Sequence, residues 1–79
     1  MQKLAFFNWA LLPAGSTLET HVGRSEEIYY ITHGQGLFQV GVETARCQEG
    51  DAIHAPAGVE HGLVNNSHEP VEYLVIGVL

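Results

Sequence analysis

The sequence predicts an all-β fold, a small closed barrel of about eight short strands, and three observations carry that expectation. Glycine and proline recur along the whole chain, at positions 13, 15, 23, 34, 36, 41, 50, 56, 58, 62, 70 and 77, so no long stretch is free to run as a helix. Between these marks lie short runs rich in Val, Ile, Tyr, Phe and Thr, residues that suit a pleated, half-buried surface. A sheet in a chain with only 15% charged residues also has little means of guarding its open edges, and closure into a barrel removes them.

Taken in order, the first strand, 4–12, is apolar and aromatic on both faces, with Phe6, Phe7 and Trp9, and needs cover on both. Pro13, Gly15 and then Gly23 bracket the second, 17–22, which carries His21. The third, 28–32, reads Ile-Tyr-Tyr-Ile-Thr. Ser25 ahead of Glu26 and Glu27 has the form of a helix N-cap with acids in the first turn, but the β-branched and aromatic run that follows, and then Gly34-Gln35-Gly36, favour a strand and a tight hairpin. Segments 37–42 and 44–48 come next, then 52–55 after Gly50, 62–65 after Pro56-Ala57-Gly58, and 71–79 after Pro70. Asn65-Asn66-Ser67 matches a glycosylation sequon and is read as a turn. No internal repeat or low-complexity tract interrupts the chain, so residues 1–79 form one domain.

Length and composition bound the function. A chain of 79 residues buries only about 60% of the surface its unfolded form exposes, yet 46% hydrophobic content is far too apolar for disorder. Such a core supplies roughly 3–5 kcal/mol, so a metal, a partner subunit or both would help hold it, and a homodimer is expected. The formal charge of −6, with Lys3, Arg24 and Arg46 as the only cations, argues against nucleic acid and anionic membrane as partners, because both are held by basic clusters. A lone cysteine, Cys47, forms no intrachain disulfide, fits a reducing compartment and reads as a structural thiol; the expected location is the cytosol. The apolar N-terminal stretch has the outline of a signal peptide, but Asn8 and Trp9 interrupt it, no cleavage site follows and it falls short of the roughly 20 residues of a membrane helix.

The chemistry lies in the placing of His21, Glu27 and His61. His21 ends one strand, Glu27 opens the next six residues on, and His61 follows the Pro56-Ala57-Gly58 turn. Side chains alternate faces along a strand, so two imidazoles and a carboxylate can converge inside a small barrel. A set of two histidines and one carboxylate with free positions suits Fe(II), Mn, Ni or Zn. Glycine-rich segments here lack the strand-to-helix setting of a phosphate loop, and no serine is placed beside a base, so nucleophilic hydrolysis is unsupported.

These residues fall into two motifs, and on them the chain resembles the cupin superfamily. The second motif, G(X)5PXG(X)2H(X)3N, is met in full by Gly50, Pro56, Gly58, His61 and Asn65; the first, G(X)5HXH(X)3–4E(X)6G, by Gly15, His21, Glu27 and Gly34. The resemblance spans residues 15–65 and implies a cupin-type barrel, a double-stranded β-helix of jelly-roll form, holding one divalent transition metal at His21, Glu27 and His61. It implies a metal-dependent enzyme of isomerase, lyase, cyclase or dioxygenase type acting on a small polar or carbonyl-containing metabolite, or else a non-catalytic barrel binding a sugar-like or carboxylate ligand. The chain departs from the pattern where Gly23 stands in place of the second histidine. Either Gly23 leaves an additional site for water or substrate on a three-ligand metal, or the metal is lost and the three residues line a polar cavity.

Other residues are secondary candidates. Glu26 is an alternative ligand, although the interval to Gly34 and the strand parity favour Glu27. His54 could point into the barrel as an acid/base or a replacement imidazole, and is otherwise a hydrogen-bonded core histidine. Tyr29 shares the face of Glu27 and offers a phenol as donor or weak acid, with core packing the plainer role. His33 and His68 are read as turn residues on the surface. The segment 4–12 is the candidate for strand exchange between subunits, and with Phe38 and 71–79 it forms core or dimer surface.

Overall fold

The computed structural model describes residues 4–78 and contains eight strands, with no helix among the described residues. They are β1 (Leu4–Leu12), β2 (Thr17–Val22), β3 (Glu26–His33), β4 (Gln35–Val40), β5 (Glu43–Gln48), β6 (Ala52–Ala55), β7 (Glu60–Val64) and β8 (Val71–Val78). Two four-stranded antiparallel sheets face each other, ordered β1-β8-β3-β6 and β2-β7-β4-β5. Consecutive strands repeatedly change sheet, which is the jelly-roll way of wrapping one core with short connections.

Alternation decides what each strand buries. On β3, Glu27, Tyr29 and Ile31 are buried while Glu26, Ile28 and Tyr30 are exposed; on β8, Val71, Tyr73 and Val75 are buried. With Leu12, Phe38, Cys47, Ala55 and Leu63 these form the core. Tyr29 lies at its centre, its ring edge-on to Phe38 at 4.8 Å and tilted against Tyr73 at 5.6 Å, both spacings at which aromatic rings attract. Burial pushes the Cys47 thiol up, as befits the structural role read from the sequence.

The connections differ from expectation at two places. Gly34-Gln35-Gly36 is not a hairpin: β3 pairs with β6 and β8, whereas β4 pairs with β5 and β7, so Gly34 carries the chain from one sheet to the other. Its φ of 89° lies in the left-handed region, and a Cβ there would come within 2.5 Å of the Pro70 carbonyl oxygen, so glycine is required on both counts. The hairpin falls instead at Gly41-Val42, where Val40 pairs with Glu43, and Val42 sits fully exposed at its tip rather than in a strand. At the N-terminal side, β1 pairs with β8 of the same chain from Leu4 to Leu12. Of the last expected strand, residue 79 lies outside the described residues.

Candidate metal centre

The three sequence-selected ligands come from three strands and both sheets. His21 near the end of β2 is the register partner of His61 on β7, and Glu27 reaches them from β3 in the opposite sheet. One ligand atom from each lies within 4.8 Å of the other two. Glu27 and His61 are buried and His21 is exposed, so the cluster is sunk in the barrel wall with one side open to solvent.

Backbone carbonyls orient both imidazoles alike. His61 Nδ1 lies 3.1 Å from the Val59 carbonyl and His21 Nδ1 lies 3.3 Å from the Glu19 carbonyl, each two residues back along the chain. With Nδ1–H donating to a carbonyl, the proton is committed there and the Nε2 lone pair is left to face the cluster, the tautomer a metal-binding imidazole needs. His61 Nε2 is buried without a hydrogen-bond partner. It sits 3.3 Å from Glu27 Oε1, close enough for an ion pair if protonated but not aligned for a hydrogen bond. Two electron-rich atoms this close in a buried place repel unless a cation lies between them. That orphaned nitrogen fits a metal ion, and the donor set, two imidazoles and a carboxylate, fits the transition metals expected from the sequence.

Tyr29 completes the surroundings. Its hydroxyl donates a 2.8 Å hydrogen bond to Glu27 Oε1 and its ring lies 5.6 Å from that of His61. Burial, and then the hydrogen bond to the Glu27 carboxylate, push the phenol well above its ordinary value, so it stays a proton donor to the carboxylate. Gly23 also lies at the cluster, where a methyl group would come to 2.5 Å from Glu27 Oε2 and 3.7 Å from His61 Cε1. The space over Gly23, expected to be open for water or substrate, therefore holds the second carboxylate oxygen.

His54 is not in the cluster, which corrects the reading that it points into the barrel. The inner side chains of β6 are Ile53 and Ala55, so His54 shares the outer face with Ala52 and lies 3.5 Å from Glu26. Glu26 in turn accepts a hydrogen bond from the Ala57 N–H and faces outward, leaving Glu27 as the carboxylate of the site. His33 is exposed between Glu49 and Glu69, at 3.8 and 3.7 Å, but closes β3 rather than lying in a turn, while His68 is exposed on the loop ahead of β8 as expected.

Sequence reasoning gave Asn65 only as a motif position. The structure shows why asparagine stands there: it is fully buried, the two hydrogens of its Nδ2 are shared among the carbonyls of Leu12, Pro13 and Glu69, and its Oδ1 accepts from the Ser67 N–H and hydroxyl. One side chain thus ties the end of β1 to the loop after β7. An amide so enclosed is not available to a glycan, so the sequon is a structural turn.

Similarity to known proteins agrees with this geometry. The Cupin domain family model matches residues 8–77. An oxalate-binding protein of Thermotoga maritima is 31% identical over 78 residues, 98% of this chain and 64% of that protein. An uncharacterized protein of Methanocaldococcus jannaschii is 36% identical over 66 residues, 82% of this chain and 53% of its own length. The chain thus spans about half to two thirds of the relatives it matches. Among solved structures, a predicted oxalate decarboxylase from Thermotoga maritima superposes with a TM-score of 0.91 at 31% identity, covering 98% of this chain and 68% of that one. A Thermus thermophilus protein gives 0.86, also at 31% identity, over 98% of this chain and 80% of its own. Jelly-roll topology, the two motifs on their strands and the family match over most of the sequence lead to one conclusion: the chain belongs to the cupin family.

Proposed function

We propose that this cupin holds one divalent transition metal at His21, Glu27 and His61 and uses it to bind and transform a small carboxylate- or carbonyl-bearing metabolite. The observation that carries the reading is the buried, unpartnered Nε2 of His61 facing the Glu27 carboxylate, an arrangement suited to a cation between them. A metal bound there would supply a Lewis acid or a dioxygen site, with coordination positions beyond the three protein ligands. The chain's own contribution is positional. The Val59 and Glu19 carbonyls hold the imidazoles with Nε2 inward, Tyr29 holds one oxygen of Glu27, and the exposed side of His21 is the way in for a ligand.

Binding without turnover is a second reading, favoured by the similarity to the Thermotoga maritima oxalate-binding protein along nearly the whole chain. The two separate on one experiment. Protein loaded in turn with Fe(II), Mn, Ni or Zn is titrated calorimetrically with oxalate and a panel of 2-oxo and 2-hydroxy acids, and the mixtures are analysed for products by mass spectrometry. Metal-dependent binding with conversion supports the enzyme; metal-dependent binding with recovery of every ligand supports the binder. Binding that ignores the metal contradicts the metal-dependent reading and leaves a metal-free binder.

A further inference from the structure

One row of side chains crosses the inner face of the β2-β7-β4-β5 sheet. Register places His21 beside His61, His61 beside Val40 and Val40 beside Glu43, so two of the three candidate ligands continue directly into an aliphatic side chain and then a carboxylate. Neighbouring strands stand about 4.8 Å apart, which sets Glu43 roughly 10 Å from His61 across the sheet. The next inner row puts Phe38 beside Ala45, and Ile53, the register partner of Tyr29, comes from β6 in the other sheet. Together these side chains line a slot of about 240 Å³ between β5 and β6, the edge strands of the two sheets. Its walls are apolar: Phe38 is buried and Val40 and Ile53 pack against the core, while the exposed Glu43, Arg46 and His54 stand at the solvent side. Ala45 turns to the same space and is itself exposed, so its short side chain leaves the slot unfilled. The volume falls below the roughly 300 Å³ at which pockets for drug-sized ligands begin, so an occupant is small.

We propose, resting on the metal site at His21, Glu27 and His61 put forward above, that this slot is the subsite for the hydrocarbon part of the ligand. The ligand is a 2-oxo acid with a short alkyl chain: its oxygen-bearing head meets the cluster, and its chain runs past Val40 against Ile53. The slot starts one side chain beyond His61, and beyond that first side chain the row offers no polar group until Glu43, so the part of the ligand next to the head is hydrocarbon. Ala45 sets the length of chain that fits, because it is the smallest of the slot's side chains and the one with open space before it.

Calorimetric titration of zinc-loaded protein with 2-oxopropanoate, 2-oxobutanoate, 2-oxopentanoate and 2-oxohexanoate tests this on wild type, Ala45→Val and Ala45→Leu, with zinc content and thermal unfolding measured for each. Zinc is the probe because it does no redox chemistry, so the acids stay intact during the titration. Wild type is expected to bind about fourfold more tightly for each added methylene, the gain from taking one CH₂ out of water. Ala45→Leu fills the slot and is expected to flatten the series, and Ala45→Val, a smaller addition that suits a strand, to end the rise at a shorter chain. A flat series in wild type that holds its zinc overturns the inference while leaving the metal reading intact. A rise that both Ala45 variants leave untouched overturns it too, since the alkyl chain then lies elsewhere, and so does a rise that persists in zinc-free protein, since the head then lies off the metal. Wild type that takes up no zinc overturns the metal reading and this inference with it.

Discussion

At the scale of single residues, the strongest local demand outside the cluster is at Asn65. Its amide contacts carbonyls from two segments and braces the turn that leads into β8. Removing a buried partner leaves those groups unpaired, at roughly 1–3 kcal/mol per group in the absence of water. Asn65→Ala is therefore expected to destabilise the fold by about 2–4 kcal/mol in urea unfolding, a large part of what a domain this size has. Asn65→Asp should recover part of the loss only by keeping the bonds from Ser67. A variant unfolding at the wild-type midpoint would show that the loop after β7 does not depend on this side chain.

At the scale of elements, Gly34 bears the sharpest constraint. The crossing between the two sheets is made by one residue with a left-handed backbone, packed against the Pro70 carbonyl. Gly34→Ala faces both a strained φ and a backbone clash, and is expected to cost about 3 kcal/mol or more, measured by chemical unfolding. Gly15→Ala serves as a comparison: it shares a positive φ but meets nothing within 4 Å, so its smaller cost isolates the packing contribution. An equal loss in both variants would contradict the crossing as drawn.

The same elements show how far the sequence could be read. All eight strands are legible because short β-branched and aromatic runs alternate with glycine and proline, and the clustering of His21, Glu27 and His61 is legible because three motif residues are fixed by spacing to those turns. Sheet membership is not. Gly34-Gln35-Gly36 has the composition of a hairpin, and only the pairing of β3 with β8 and β4 with β7 reveals a crossover. Likewise, parity along β6 puts His54 with Ala52 but does not say which face is inner; Ala55, packed in the core, decides it. The occupation of the space over Gly23 depends on where a side chain four residues away comes to rest, which no local pattern encodes.

At the scale of the whole molecule, the outer face of the β1-β8-β3-β6 sheet is apolar. Phe7 and Trp9 are 55% and 59% exposed, and register places them beside Ile76 and Leu74, which in turn neighbour Ile28 and Tyr30. Contiguous apolar surface of this kind is rarely left to water, and the homodimer expected from the chain's length would cover it. Sedimentation at micromolar concentration is expected to give a dimer, and Trp9→Glu a folded monomer; a wild-type monomer contradicts the expectation. Strand exchange is not needed for such a dimer, since β1 already pairs with β8 in its own chain.

A second property of the whole molecule is its response to alkali. Burial raises the phenols of Tyr29 and Tyr73 and the thiol of Cys47, with the hydrogen bond to Glu27 adding to the effect at Tyr29. The folded protein then keeps these groups neutral at pH values where the unfolded chain has ionised them. Their contribution is fully present below the ordinary values of 9.0 for the thiol and 10.0 for the phenols, and is lost as pH rises through the folded-state values. The thermal midpoint should fall progressively above about pH 9, and Tyr73→Phe should flatten that fall. A midpoint indifferent to alkali would show that the core admits water around these groups.

The central claim, a metal held by His21, Glu27 and His61, is tested most directly by elemental analysis of untagged protein purified without chelator, beside a His61→Ala control. The account predicts close to one equivalent of Fe, Mn, Ni or Zn per chain in the wild type and its loss in His61→Ala. A metal-free wild type that takes up none of these ions on reloading, or a His61→Ala variant that retains its metal, would contradict it.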